Sequence, residues 1–441
     1  MQLPSQSFVL RPEWLLSLAP GQGSLRGAAL VVREGRIERI CASGEPWPVD
    51  LPELELPGHV VMPGLVNAHG HLAMSLLRGF ADDYRLEDWL QQHIWPTEAR
   101  WVGPEFVADG TELAMAEMLR SGTTCCSDMY FFPEVSAAVA AKFGMRVQVT
   151  VPIIKFANAW AASADAAIHQ GLELMDRYRD DPMCSVGFGP HSPFAVEPHT
   201  LRRIAMLASE VGRPVHIHVH ETAQEVADYV ALHHKRPIAH LHELGLLEPG
   251  LQIVHLTQVL PEEIALLQRN GVAVVHCPQS NLRLGSGVCP VADLRNAGVN
   301  VALGTDGAAS NNGLDLFREL NIALLLAKGH ARNPTALLAR DALQMATLDG
   351  ARALGMDTII GSLAPGKAAD VIAVDLRAPA QQPVFDPVSQ LVYTSAGACV
   401  RHVWINGLPR LADGELLGFD LPDLQQRVRN WSARIAAGVQ Q

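Results

Sequence analysis

Two histidines separated by one residue, His69-Gly70-His71, close an apolar run from Val60 to Ala68. Residues i and i+2 of an extended segment project to the same side, so both imidazoles can reach one metal ion. Alone the pair says little, because 18 histidines in 441 residues produce close pairs by chance. It gains meaning from other apolar runs that end the same way. One is followed by Gly189-Pro190-His191-Ser192, and one contains and leads into His216-Ile217-His218-Val219-His220-Glu221. Another runs into His255, and a further one ends Leu303-Gly304-Thr305-Asp306-Gly307. For any single histidine, a buried and hydrogen-bonded core residue is the competing reading. Five coincident run ends weigh against that reading for the set.

Imidazoles with one carboxylate suit Zn2+, with Fe2+ or another divalent ion as the alternative. The expected metal ligands are His69, His71, His218 and Asp306. Spacing leaves the fifth run ambiguous, since His216, His218 and His220 share a face in a regular strand. Glu221, three residues beyond His218, is expected to project into the cavity rather than onto the ion.

These side chains converge only if the runs are strands of one barrel. The candidate strands are 60–66, 123–129, 146–151, 185–188, 214–219, 251–255, 272–275 and 299–303. Between them, 105–120, 161–179, 199–211 and 261–270 have the length and composition of connecting helices. Strands alternating with helices imply parallel pairing with crossovers, and eight such units close a (β/α)8 TIM barrel whose strand C-termini share one rim. An open doubly wound sheet is the rival. Short β-type pieces with turn signals occupy both ends of the chain, including Glu34-Gly35 and Asn406-Gly407. They predict a small β-sandwich domain formed from both termini: residues 1–60 and 363–441, flanking a barrel over 61–362. Leu424, Val428, Trp431 and Ile435 recur at helical spacing and predict a C-terminal helix.

The composition excludes several alternatives. Hydrophobic residues make up 48% of the chain and charged ones 18%, which fills a large core and disfavours disorder. A net charge of −12 gives no basic field for nucleic acid or anionic membranes. No stretch is apolar and long enough to span a bilayer, and Arg11 and Glu13 interrupt any signal-like segment in Met1 to Leu18. The odd count of 7 cysteines without regular spacing fits reduced core thiols and a cytoplasmic location. The reading admits a homo-oligomer.

The local sequences resemble the amidohydrolase superfamily, and within it the branch of 5′-methylthioadenosine/S-adenosylhomocysteine deaminases. The resemblance rests on Pro63 to His71, Leu76-Leu77-Arg78-Gly79, Gly187 to Pro193 and His218 to Glu221. Asn281-Leu282-Arg283-Leu284-Gly285 and Gly304 to Asn312 add to it, and it covers nearly the whole chain. It implies a single zinc ion per subunit. Binuclear relatives carry a carboxylated lysine at the end of the fourth strand, and Cys184 to Pro190 contains no lysine.

The implied chemistry is hydrolytic deamination at C6 of a purine nucleoside. A metal lowers the pKa of its water towards ~7, Asp306 accepts a proton from that water, and Glu221 protonates ring N1. The resemblance places His255 on the attacking hydroxide and Glu98 on the ribose hydroxyls. His191 is expected to hydrogen-bond the purine or ribose. Trp89 is expected to pack against the nucleoside, with an ordinary packed indole as the competing reading. Relatives that take S-adenosylhomocysteine can carry an arginine just after the third strand. The matching position is taken by Val151, with Lys155 the nearby cation, which favours 5′-methylthioadenosine. S-adenosylhomocysteine or adenosine deamination, or hydrolysis of a triazine or guanine-type ring, is the alternative.

Overall fold

The computed structural model describes residues 3–439; Met1, Gln2, Gln440 and Gln441, at the outer ends of the two terminal segments, lie outside them. Eight parallel strands follow one another in sequence order round a barrel. They are β1 (Leu65–Asn67), β2 (Thr123–Met129), β3 (Arg146–Ile153), β4 (Cys184–Pro190), β5 (Val215–Val219), β6 (Leu251–His255), β7 (Ala273–His276) and β8 (Asn300–Leu303). The last strand meets the first at the rim. Ala68 N donates to Leu303 O at 2.9 Å, and Asp306 N to His69 O at 3.1 Å.

The connecting helices form where the apolar period is 3 to 4. Helix Pro198–Val211 buries Thr200, Leu201, Ile204 and Ala208 along one stripe and ends on Gly212 in the left-handed conformation. Burial of each leucine or isoleucine on such a stripe stabilises the fold by about 1.5–3 kcal/mol. Pro104–Arg120, Ala164–Arg177 and Pro261–Arg269 also occupy the stretches expected to be helical.

One expectation fails. The run 60–66 is not one barrel strand. Glu53–Pro63 is a strand of a different sheet, pairing with Phe8–Leu16 and Val371–Asp375. The chain changes sheets at Gly64, and only Leu65–Asn67 joins the barrel. Pro63 has no N–H to continue a ladder. At Gly64 a Cβ would lie 2.1 Å from Thr124 Oγ1, so only glycine fits the crossing. The handover is hidden in the sequence because Val60 to Asn67 is buried throughout.

Strands from both ends of the chain form one mixed sheet of nine strands. The sheet curls on itself: Gln6 bridges the two hairpin turns, donating to Gly407 O at 2.9 Å and accepting from Gly35 N at 2.7 Å. Its core holds Phe8, Leu30, Val61 and Trp404, with the Phe8 and Trp404 rings 5.7 Å apart. A buried ion pair joins this sheet region to the barrel. Arg146 Nε of β3 lies 3.0 Å from Asp370 Oδ2, and Asp370 Oδ1 also accepts from Asn406 N at 2.8 Å. The C-terminal helix, Leu421–Val439, packs Trp431 edge-on against Phe106 and donates its indole N–H to Asp109 Oδ2 at 2.7 Å. Six cysteines are buried, Cys399 is half-buried, and all seven are free thiols. Among the described residues no helix is long and apolar enough to cross a membrane.

Candidate active site and its metal centre

The chain leaves β1 at Asn67, whose side chain clamps the loop after β8 on the same rim. Its Nδ2 donates to Thr305 Oγ1 at 2.8 Å, and its Oδ1 accepts from Thr305 N at 3.0 Å. That clamp brings His69 and His71 beside Asp306. Both Nε2 atoms lie 3.3 Å from Asp306 Oδ1. His218, from β5, places its Nε2 3.2 Å from His69 Nε2. Two overlapping groups of potential ligand atoms result, His69–His71–Asp306 and His69–His218–His255, each within 4.8 Å.

The hydrogen bonds fix which nitrogens face inward. His71 Nδ1 donates to Met129 O at 2.6 Å and His218 Nδ1 to His191 O at 2.7 Å, so their Nε2 atoms point at the cluster. Lone pairs 3.2 Å apart repel unless a cation lies between them. Two imidazoles on a tetrahedral zinc, at Zn–N of about 2.0–2.1 Å, would stand roughly 3.3 Å apart. Asp306 Oδ2 accepts from Ser280 Oγ at 2.7 Å and Ser310 Oγ at 2.8 Å, which leaves Oδ1 directed at the imidazoles. Despite its burial, the adjacent His69 and His71 hold the Asp306 carboxyl well below the usual range. Its field also outweighs the burial of His71, which is held up at about 9. The spot therefore attracts positive charge, and the donor set fits a zinc ion.

Close approach at this rim requires a glycine. A Cβ on Gly304 would lie 2.8 Å from the His69 Cβ and 2.9 Å from its backbone nitrogen. Asp306 itself sits at φ 62°, a left-handed conformation that turns its carboxylate inward.

The ambiguity in β5 resolves by depth. His216 lies below the ligands, with Nε2 2.8 Å from His69 Nδ1 and Nδ1 2.6 Å from Gln252 Oε1. His220 does not continue the face, because the chain turns there with φ 57°; its Nδ1 lies 3.9 Å from Glu263 instead. The same turn brings Glu221 to the edge of the cluster, with Oε2 3.6 Å from His255 Nε2. Burial, reinforced by the charge of Asp306, raises the Glu221 carboxyl to about 8. His255 is oriented by Asn281, whose Oδ1 accepts from Nδ1 at 2.8 Å.

The remaining expected residues differ in their surroundings. Glu98 is half-buried and accepts a 2.7 Å hydrogen bond from Tyr130, and burial raises its carboxyl to about 7. His191 is kept neutral, pushed down to about 4 by burial and the nearby His71. Its Nδ1 is buried without a hydrogen-bond partner in the protein. Trp89 is 5% exposed and belongs to an apolar cluster with Met74, Phe106 and Tyr130.

Val151 requires correction. It lies inside β3 rather than after it, and it faces outward: a Cβ on Gly171 of helix Ala164–Arg177 would meet its Cγ1 at 2.9 Å. It cannot mark a substrate-tail contact. The cation after β3 is Lys155, 3.8 Å from Glu197 and stacked on Phe156. Sequence reasoning also missed Ser280 and Ser310. Serines are too common for their type to signal a role, and the clue was only their place after β7 and β8.

A (β/α)8 barrel that gathers imidazoles, an aspartate and a buried glutamate at one rim defines a metal-dependent hydrolase. The model of the amidohydrolase family matches residues 60–409, and the chain belongs to that family. It is 48% identical over 432 residues to the 5-methylthioadenosine/S-adenosylhomocysteine deaminase of Teredinibacter turnerae, covering 98% of each chain. The crystal structure of an adenosine deaminase from Xanthomonas campestris with bound zinc superposes with a TM-score of 0.96 at 46% identity. The match covers 98% of this chain and 100% of that one. An atrazine chlorohydrolase from Arthrobacter aurescens, complexed with zinc, matches with a TM-score of 0.91 over 96% of this chain and 100% of its own. At 23% identity it shares the fold alone.

Proposed function

We propose that the chain is a zinc-dependent aminohydrolase converting 5′-methylthioadenosine to 5′-methylthioinosine and ammonia. The observation that carries the reading is Glu221. Buried 3.6 Å from His255 at the edge of the ligand cluster, its carboxyl is pushed up by burial, which favours the acid form. Displacing the amino group of a purine requires a proton on N1, which a carboxylic acid can deliver. The deaminase and adenosine deaminase names of the full-length relatives support the same chemistry.

His69, His71, His218 and Asp306 would hold the ion. Zinc, when bound there, supplies a Lewis acid that makes water acidic near neutral pH. Asp306 takes one proton from the attacking water and returns it to the departing amino group, which leaves as ammonia. Glu221 gives its proton to N1 and recovers one as the C6 carbonyl forms. His255, steadied by Asn281, hydrogen-bonds the attacking oxygen as C6 becomes tetrahedral. Glu98, oriented by Tyr130, accepts from the ribose hydroxyls. His191 offers its unpaired Nδ1 to the purine or ribose, and Trp89 packs at the edge of the nucleoside. The catalytic unit is the barrel over 61–362, entered at Gly64, with 1–60 and 363–441 as its support. Buried free thiols support a cytoplasmic, reducing setting.

Lys155 favours a second substrate. Its ammonium stands 3.8 Å from Glu197 beyond the end of β3, where an amino-acid carboxylate on the thioether tail could compete for it. Purified protein should release ammonia from 5′-methylthioadenosine and shift the absorbance from adenine-like to hypoxanthine-like. An unchanged spectrum, with zinc bound, overturns the proposal. A panel including adenosine and S-adenosylhomocysteine ranks the tails, and Lys155→Ala should weaken S-adenosylhomocysteine selectively.

A further inference from the structure

Three segments of the sequence remain unexplained by the chemistry: Leu76 to Gly79, Asn281 to Gly285, and the Asn311-Asn312 end of the Asp306 segment. In the fold they meet at a polar clasp on the rim. Arg283, at the end of helix Pro278–Arg283 after β7, donates from Nη1 to Ala309 O and to Asn312 Oδ1, both at 3.0 Å. Its Nη2 donates to Asp82 Oδ1. Asn312 caps the short helix Ala308–Asn311 after β8 at φ 66°, and its Nδ2 donates to Asp82 Oδ2 at 3.0 Å. Gly79 N donates to Asn312 Oδ1 at 3.2 Å, and Arg78 Nη1 to Asn312 O at 2.9 Å.

The inner ends of both helices are tied to one carboxylate. Ser280 and Ser310 bind the same Asp306 oxygen at 2.7 and 2.8 Å, so the metal carboxylate fixes where Arg283 and Asn312 stand. Asp82 is on the other partner, the segment that runs on to Trp89 and Glu98. That segment is locally irregular: Leu86–Asp88 is α-helical, Trp89–Ile94 is a π-helical turn, and Trp95–Trp101 is α-helical again. A π turn is an uncommon conformation found mostly at functional sites. The two oxygens of Asp82 thus pin the segment carrying Glu98 to elements set by Asp306.

We infer that Asp82, bridged by Arg283 and Asn312, is a positioning residue that sets Glu98 relative to the metal carboxylate and so selects nucleosides by their ribose hydroxyls. The inference rests on the proposed deaminase reading and on Glu98 as the ribose acceptor. Misplacement of a recognition group by about 1 Å is enough to cost on the order of 10²-fold. The Asp82 end of the ion pair is exposed and adds little stability, so Asp82→Ala should stay folded, while the thermal midpoint checks Arg283→Gln, whose side chain is 20% exposed.

The test compares adenosine with 2′,3′-dideoxyadenosine, which lacks both hydroxyls, in the wild type and in Asp82→Ala, Arg283→Gln and Glu98→Ala. Zinc content and thermal midpoint are measured alongside. Glu98→Ala should erase the wild-type preference for adenosine. Asp82→Ala and Arg283→Gln should each cut it about tenfold, mainly by raising KM for adenosine, with dideoxyadenosine kinetics and zinc content unchanged; Arg283→Lys should restore part of it. A preference retained in both clasp variants overturns the inference. So does an equal loss on both nucleosides, or a loss of zinc, since either would make the clasp merely structural. A wild type inactive on every nucleoside would instead refute the deaminase reading itself.

Discussion

His216 stands behind His69, its Nε2 2.8 Å from the Nδ1 of the ligand ring, and its own Nδ1 is 2.6 Å from Gln252 Oε1. The Gln252 oxygen can only accept, so the proton of His216 sits on Nδ1 and its Nε2 is a lone pair. His69 must then carry its proton on Nδ1, which leaves Nε2 free to ligate. One amide three groups deep thereby sets the tautomer of His69 and leaves its Nε2 facing Asp306 and His218.

His216→Phe keeps the ring volume and removes the acceptor. Zinc affinity, measured by competition with a chelator, should fall about 10–100-fold. Unaltered affinity would show that packing alone orients His69.

Glu221→Gln leaves the metal ligands in place but removes the acid. Turnover should drop by on the order of 10²–10⁴, while zinc content and thermal midpoint stay at wild-type values. Full activity in this variant would remove Glu221 from the chemistry.

Ribose binding should depend on pH through Glu98. Burial raises its carboxyl to about 7 against the opposing pull of Tyr130 and His71. Above that value it is an ionised acceptor for both hydroxyls; below it, one oxygen carries a proton and accepts poorly. KM for the nucleoside should therefore rise as pH falls through about 7, by up to ~10-fold per unit. In Glu98→Gln this limb should vanish, and a surviving limb would assign it to another group.

The ion pair between Arg146 and Asp370 is buried on both sides, at 2% side-chain exposure each. Asp370→Asn leaves an uncompensated guanidinium, and unfolding measurements should show a loss of about 3–5 kcal/mol. Arg146→Met combined with Asp370→Leu removes both charges and should cost clearly less. Equal losses would mean that the charges are not what joins β3 to the terminal sheet.

Much of this was legible in the chain. Apolar runs of strand length, alternating with helical stripes, gave the barrel, because burial on both faces of a parallel strand leaves a continuous hydrophobic signature. The side-chain types gathered at the rim were visible too, since histidine, aspartate and glutamate at run ends have few structural reasons to recur there. Turn chemistry at Glu34-Gly35 and Asn406-Gly407 announced the terminal sheet.

Depth and direction were not legible. Strand spacing assigns a face, so it grouped His216, His218 and His220. Tertiary structure separated them, placing His216 beneath His69, His218 beside His69 Nε2 and His220 outside the strand at a left-handed turn. The sheet change at Gly64 was invisible because both sheets demand the same apolar residues. Val151 matches the place of a tail-binding arginine by sequence alone, and only its outward packing against Gly171 shows that the position faces away from the site. Ser280 and Asp82 act through partners 26 and 201 or more residues away, and no local pattern encodes such contacts; Ser310 lies four residues from Asp306, but serine is too common a type to signal the bond. The sequence by itself determined which chemistry could be gathered at the rim; only the closed barrel decided which atoms meet, because convergence depends on strand tilt and side-chain depth rather than on spacing.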